Sequence, residues 1–248
     1  MALAWHCARD RFFRQFQALH HWSWPDWPTQ MRLLRLGVPI GISYLVEISA
    51  FTVVALLLAQ LGATVVAAHQ ITLNFSAIVY MVPQTISVAL TVRVGQAVGA
   101  GNEAGAAYTC KIGLQLALAF ACCTAVAIWF GAPWLAGLYS SDPQVVTMAG
   151  SLLLFAAVYQ LPDAAQVCSA GALRGYRITS LPMLILVLAF WGVAVPLGYR
   201  LGLHGVPWLN AGQPLAAAGF WGALVLSLFL VAVPLLLFAL ALAVVPLF

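Results

Sequence analysis

Long apolar runs separated by short polar breaks organise this chain. Six of them stand out, at about 36–59, 65–92, 108–138, 145–173, 181–201 and 216–247. An α-helix needs about 20 apolar residues to cross a bilayer, so each run predicts one membrane-spanning helix. The second and third runs exceed a single crossing, which predicts tilt or kinks. Prolines fall inside or near the ends of the runs, at Pro39, Pro83, Pro162, Pro182, Pro196 and Pro234. A proline frees a carbonyl and bends its helix, and membrane helices tolerate this when neighbours satisfy the freed group.

Composition closes off the alternatives. Of 248 residues, 64% are hydrophobic and 6% charged, against about 25% charged in a soluble domain. A disordered chain would be polar. The net charge of +4 comes from loops, and no basic run interleaved with aromatics suggests a nucleic-acid surface. The five cysteines (Cys7, Cys110, Cys122, Cys123 and Cys168) include no Cys-x-x-Cys pair, so they read as small buried apolar residues rather than a metal or disulfide framework. The fold class expected is all-α, a polytopic membrane protein of six helices.

The breaks carry the charge. Placing the N-terminal tail in the cytoplasm puts Arg9, Arg11, Arg14, Arg32, Arg35, Arg93, Lys111, Arg174 and Arg177 inside and only Arg200 outside, nine of the ten basic residues. That bias predicts both ends in the cytoplasm. Residues 1–30, with Trp5, Trp22, Trp24, Trp27 and three histidines, read as an interfacial segment. An amphipathic helix is expected around Phe12–Leu19, then a Trp-Pro-Asp-Trp-Pro turn. Arg9, Asp10, Arg11 and Arg14 interrupt this segment, so it does not read as a signal peptide.

Two acids lie where charge is expensive. Glu47 falls in the first run and Asp163 in the fourth, while Asp10, Asp26, Glu103 and Asp142 fall in tails or loops. A charge at mid-bilayer costs about 2.5–3.5 kcal/mol on insertion scales, so such residues usually face a cavity and serve ions or protons. One helical turn from Glu47 stand Ser43, Tyr44, Ala50 and Phe51; one turn from Asp163 stand Tyr159, Gln160 and Gln166. A carboxylate beside an aromatic face can hold a cation, and Pro162 is expected to loosen the backbone and bare carbonyl ligands. The pair suits H⁺ or Na⁺, and the residues alone do not choose. His69 reads as a packed, hydrogen-bonded residue. Gln70 and Asn74, four apart, make a polar stripe that suits a cavity or a helix contact.

The stretches Arg35-Leu36-Gly37-Val38-Pro39-Ile40-Gly41 with Glu47, Ala67-Ala68-His69-Gln70, Arg93-Val94-Gly95-Gln96-Ala97-Val98-Gly99-Ala100-Gly101-Asn102, Tyr159-Gln160 with Asp163, and Gly171-Ala172-Leu173-Arg174-Gly175-Tyr176 resemble, in order, the C-terminal half of a multidrug and toxic compound extrusion (MATE) transporter of the NorM-like branch. The resemblance implies a lobe of six helices at 31–248 preceded by an inter-lobe linker at 1–30, in a fold whose members carry twelve helices in two lobes around a central cavity. It implies antiport of cationic or amphiphilic drugs against Na⁺ or H⁺, in the bacterial inner membrane, with no other cofactor. Glu47, Asp163 and Tyr159 match the cation site of the C-lobe. Phe51, Gln70 and Asp142 match positions near bound drug or cation, and Asn74 joins Gln70 as a candidate substrate contact. An N-terminal lobe is the expected partner, and the chain alone is expected not to transport.

Other classes fit less well. An intramembrane enzyme using the two acids for proton transfer would need more polar groups, and no nucleophile–base pair, His-Glu-x-x-His or phosphate loop is present in the sequence. A saccharide flippase of similar architecture should carry basic cavity residues. A nonfunctional fragment or structural subunit is the remaining alternative.

Overall fold

The structure, a computed structural model, describes residues 26–206 and 213–244. Six helices long and apolar enough to cross a membrane appear there, with no β-strand among the described residues. They are α1 (Trp27–Leu58), α2 (Ala63–Gly99), α3 (Glu103–Gly137), α4 (Pro143–Gly175), α5 (Ser180–His204) and α6 (Ala216–Val244). The described residues up to Gly37 fall in one unit and those from Val38 onward in a second. The packing that builds the site belongs wholly to the second.

Helices α1 to α5 outlast their apolar runs at one end or both, and caps mark several of these ends. At the N-terminus of α1, Asp26 accepts from the Thr29 backbone N–H at 3.2 Å, a capping bond. Trp27 and Pro28 are therefore helical, and the expected turn does not extend to them; Phe12–Leu19 lies outside the described residues. The glycine-rich Val94–Asn102 stretch is the end of α2. Asn102 N–H donates to Ala97 O at 2.9 Å and Gly101 N–H to Val98 O at 3.1 Å, with Gly101 at φ +69°. This is the doubly bonded left-handed helix stop that favours glycine. Asn102 then opens α3, accepting from Gly105 N–H at 2.8 Å.

Burial departs from that of a soluble protein, with large apolar side chains exposed and several polar ones fully buried. Phe130 is 81% exposed and Leu188 69%, while His69, Thr72, Ser87, Ser169 and Ser227 are fully buried. Apolar side chains face the lipid, and polar ones face inward where partners exist. Two of the buried hydroxyls bond the preceding turn of their own helix, Thr72 to Ala68 O at 2.9 Å and Ser227 to Ala223 O at 2.8 Å. The cysteines split. Cys110 and Cys168 are buried, but Cys122 and Cys123 are exposed, so the expectation of uniform burial is corrected. In a bilayer a small apolar thiol is stable on the lipid side as well.

The central element is α4, which packs on α2, α3 and α6. Its Gly171-Ala-Leu-Arg-Gly175 segment crosses α2 at close range. A Cβ at Gly171 would stand 2.5 Å from Ser87 O, so only glycine fits the approach. Close backbones permit polar ties between the helices. Ser87 donates to Val167 O at 2.6 Å, Thr91 to Gly171 O at 2.9 Å, and Cys168 to Pro83 O at 3.4 Å. Helix α1, by contrast, forms no close seam with another helix among the described residues. In α5 the coil widens to π-helix at Leu188–Ala194 and Arg200–His204, on both sides of Pro196, whose missing N–H breaks the α-ladder.

Candidate functional site

Four helices converge on one chamber of about 180 Å³. Glu47 and Phe51 enter from α1, Ser76 and Tyr80 from α2, Tyr159 and Asp163 from α4, and Trp221 from α6. Helical spacing explains the set, since Glu47 and Phe51, Ser76 and Tyr80, and Tyr159 and Asp163 are each four apart and share a face. The two intramembrane acids, 116 residues apart in sequence, therefore line one chamber. A wider groove of about 540 Å³ adjoins it, sharing Glu47, Phe51, Leu73 and Tyr80 and adding Tyr44 and Gln70.

The walls are aromatic and ordered edge to face. Phe51 meets Tyr159 with ring centroids 6.3 Å apart, and Tyr159 meets Trp221 at 6.1 Å. Trp221 is held in turn by His69, whose Nδ1 accepts from the indole N–H at 3.3 Å. His69 is thus the packed, hydrogen-bonded residue expected, and its acceptor role leaves the ring proton on Nε2.

Inside this apolar wall two buried polar atoms are unpaired. Asp163 is 2% exposed, and its Oδ1 has no hydrogen-bond partner, nor has Ser76 Oγ. A buried polar atom without a partner is costly and calls for one. The donor set suits a small hard cation, because it is made of carboxylate and hydroxyl oxygens. Among the described residues no three His, Cys, Asp or Glu side chains group together, so an ion here completes its shell with hydroxyls, carbonyls or water. A proton needs only one carboxylate. Helix α4 stays helical through Pro162, which corrects the expected loosening. The ring removes one N–H, leaving Val158 O free of its intrahelical bond, but the backbone on either side holds its turn.

The remaining candidates fall elsewhere. Gln70 lines the outer groove. Asn74 is exposed, with its amide turned back to Gln70 O at 2.9 Å. Asp142 caps α4, accepting from Gln144 N–H at 2.9 Å, and lines neither chamber. Sequence reasoning missed Ser76, Tyr80 and Trp221. Only Tyr80 left a signal, in Gln84 one turn beyond it on the same helix face.

The fold and the site define a polytopic helical membrane protein in which two acids line one chamber within the spans. The MatE family model matches residues 39–200, and the chain belongs to that family. It is 45% identical over 226 residues to the probable multidrug resistance protein NorM of Chromobacterium violaceum, covering 91% of this chain and 47% of that protein. It is 43% identical over 216 residues to the multidrug resistance protein PmpM of Pseudomonas aeruginosa, covering 87% and 44%. The chain thus spans about half the length of the curated relatives it matches. Among solved structures, the eukaryotic MATE transporter AtDTX14 superposes with a TM-score of 0.83 at 18% identity, over 97% of this chain and 53% of that one.

Proposed function

We propose that this chain is the cation-coupling lobe of a multidrug exporter that works by antiport. The observation that carries the reading is the meeting of Glu47 and Asp163 in one chamber with Asp163 Oδ1 unpaired. The relatives' names, multidrug resistance proteins, support it. The coupling ion is Na⁺ or H⁺, held by Glu47 and Asp163 with Tyr159 beside them. Drug occupies the aromatic groove that Phe51 and Gln70 border, a surface suited to amphiphilic cations. A second six-helix lobe faces this groove, and rocking of the lobes alternates access to it. Cation favours one arrangement and drug the other, so their differential affinities couple the two fluxes. The lobe sits in the bacterial inner membrane with both termini cytoplasmic, and its chemistry is transport rather than catalysis.

The test is gradient-driven efflux of a fluorescent cationic dye from cells producing the assembled transporter. Glu47→Gln and Asp163→Asn should each reduce it at least about tenfold while membrane insertion is unchanged, the effect of removing an interaction on the order of 1.4 kcal/mol or more. Normal ion-dependent efflux in either variant would refute the assignment.

A further inference from the structure

We propose that Gln84 is a positioning residue of the acid chamber: it fixes the Tyr80 hydroxyl at the chamber wall and ties that wall, through Tyr44, to Arg174. The proposal rests on the reading of the chamber as a cation site.

A polar thread runs across three helices. Tyr80 O–H donates to Gln84 Oε1 at 3.1 Å, within one face of α2. Gln84 Nε2–H then donates to the Tyr44 hydroxyl oxygen of α1 at 2.8 Å. The Tyr44 ring in turn lies 5.6 Å from the Arg174 guanidinium of α4, within cation–π range. Gln84 lines neither chamber, whereas Tyr80 lines both. Gln84 therefore acts on a ligand through the tyrosines it bonds, Tyr80 at both cavities and Tyr44 at the wider groove.

The chemistry of the hydroxyl gives this arrangement a consequence. A tyrosine has one hydroxyl proton, and here Gln84 takes it. What Tyr80 has left to offer the chamber is oxygen lone pairs. An acceptor beside two acids is favourable when a cation sits among them. It is unfavourable beside a pair of empty carboxylates, for which a donor would serve better. Gln84 thus biases the chamber toward its cation-loaded state.

The placement of α1 strengthens the case. With no close seam to another helix, α1 has two side-chain hydrogen bonds to other helices among the described residues. They are Gln84 to Tyr44 and the Trp191 indole to Ser49 at 3.2 Å. Tyr44 stands one turn before Glu47, so the Gln84 bond sets how Glu47 and Tyr80 meet.

The experiment is calorimetric titration of the purified 248-residue chain in lipid nanodiscs, with sodium chloride at fixed pH and with acid in the absence of Na⁺. Choline chloride is the ionic-strength control. Gln84→Leu and the closer isostere Gln84→Met should weaken apparent cation affinity about tenfold, the scale of one hydrogen bond to a charged site. In a Tyr80→Phe background either should weaken it markedly less, the Tyr80 arm being already lost. That non-additivity is what a role through the Tyr80 hydroxyl requires and what a merely structural role would not give. An equal loss in both backgrounds, or no loss in either, overturns the proposal. A parent chain with no saturable response to either cation contradicts the cation-site reading itself and the Gln84 proposal with it.

Discussion

Asp163 and His69 are both polar side chains far from water, and they are satisfied in different ways. His69 has one partner inside the fold, the Trp221 indole on its Nδ1 at 3.3 Å, while its Nε2 is unpaired; through that one bond it holds a residue of the chamber wall. Asp163 leaves Oδ1 without one, and so reads as a group awaiting a ligand. The contrast yields a prediction. Trp221→Phe strips His69 Nδ1 of its donor and should destabilise the protein by about 1–3 kcal/mol, the cost of an orphaned buried acceptor, measured as a lower unfolding temperature in detergent. An unchanged unfolding temperature would mean that the bond carries no weight. Residues of this kind differ in how legible they are. Glu47 and Asp163 could be read from the chain because a charge in an apolar run has few innocent explanations. Ser76 and Trp221 could not, and Tyr80 only through Gln84 one turn beyond it, because aromatics and hydroxyls are ordinary in membrane helices and only the crossing of four helices brings them to one wall.

At the scale of elements, the spans were legible and their ends were not. Hydropathy marks the part of a helix that must lie in hydrocarbon, whereas caps and loop chemistry decide where the helix stops. Hence α2 runs on past residue 92 to Gly99, until Gly101 can take φ +69°. The π-helical turns of α5 had Pro196 as their only trace. The seam between α2 and α4 was not read from the sequence, where Gly171 and Gly175 stand out only as part of a stretch resembling the family. Gly171→Ala tests that seam. With Ser87 O 2.5 Å from the new Cβ, the backbones must part, breaking the Ser87–Val167 and Thr91–Gly171 ties. Overpacking of this kind costs about 1–3 kcal/mol, and a larger side chain such as leucine should cost more. Thermal unfolding of the two variants in detergent should fall in the order parent, alanine, leucine. Equal stability of all three would show that the seam is looser than the structure has it.

For the whole molecule, the distribution of basic residues supports a single proposed orientation. With both ends inside, the loop at Asp142 lies outside and that at Glu103 inside, following the distribution of basic residues. Cysteine introduced at these exposed positions, in a background lacking the five native cysteines, should react with an impermeant reagent from the outside at 142 only. Labelling at 103 instead would invert the lobe and move Arg174 to the outer face. The proposed coupling depends most directly on Glu47 and Asp163 acting as one site rather than two. The decisive measurement is the number of cations, Na⁺ or H⁺, that the purified chain binds in nanodiscs between alkaline and mildly acid pH. The paired site predicts one saturable event attributable to the chamber, lost in Glu47→Gln, lost in Asp163→Asn, and lost no further when the two are combined. Two independent events, each removed by only one of the substitutions, would contradict it.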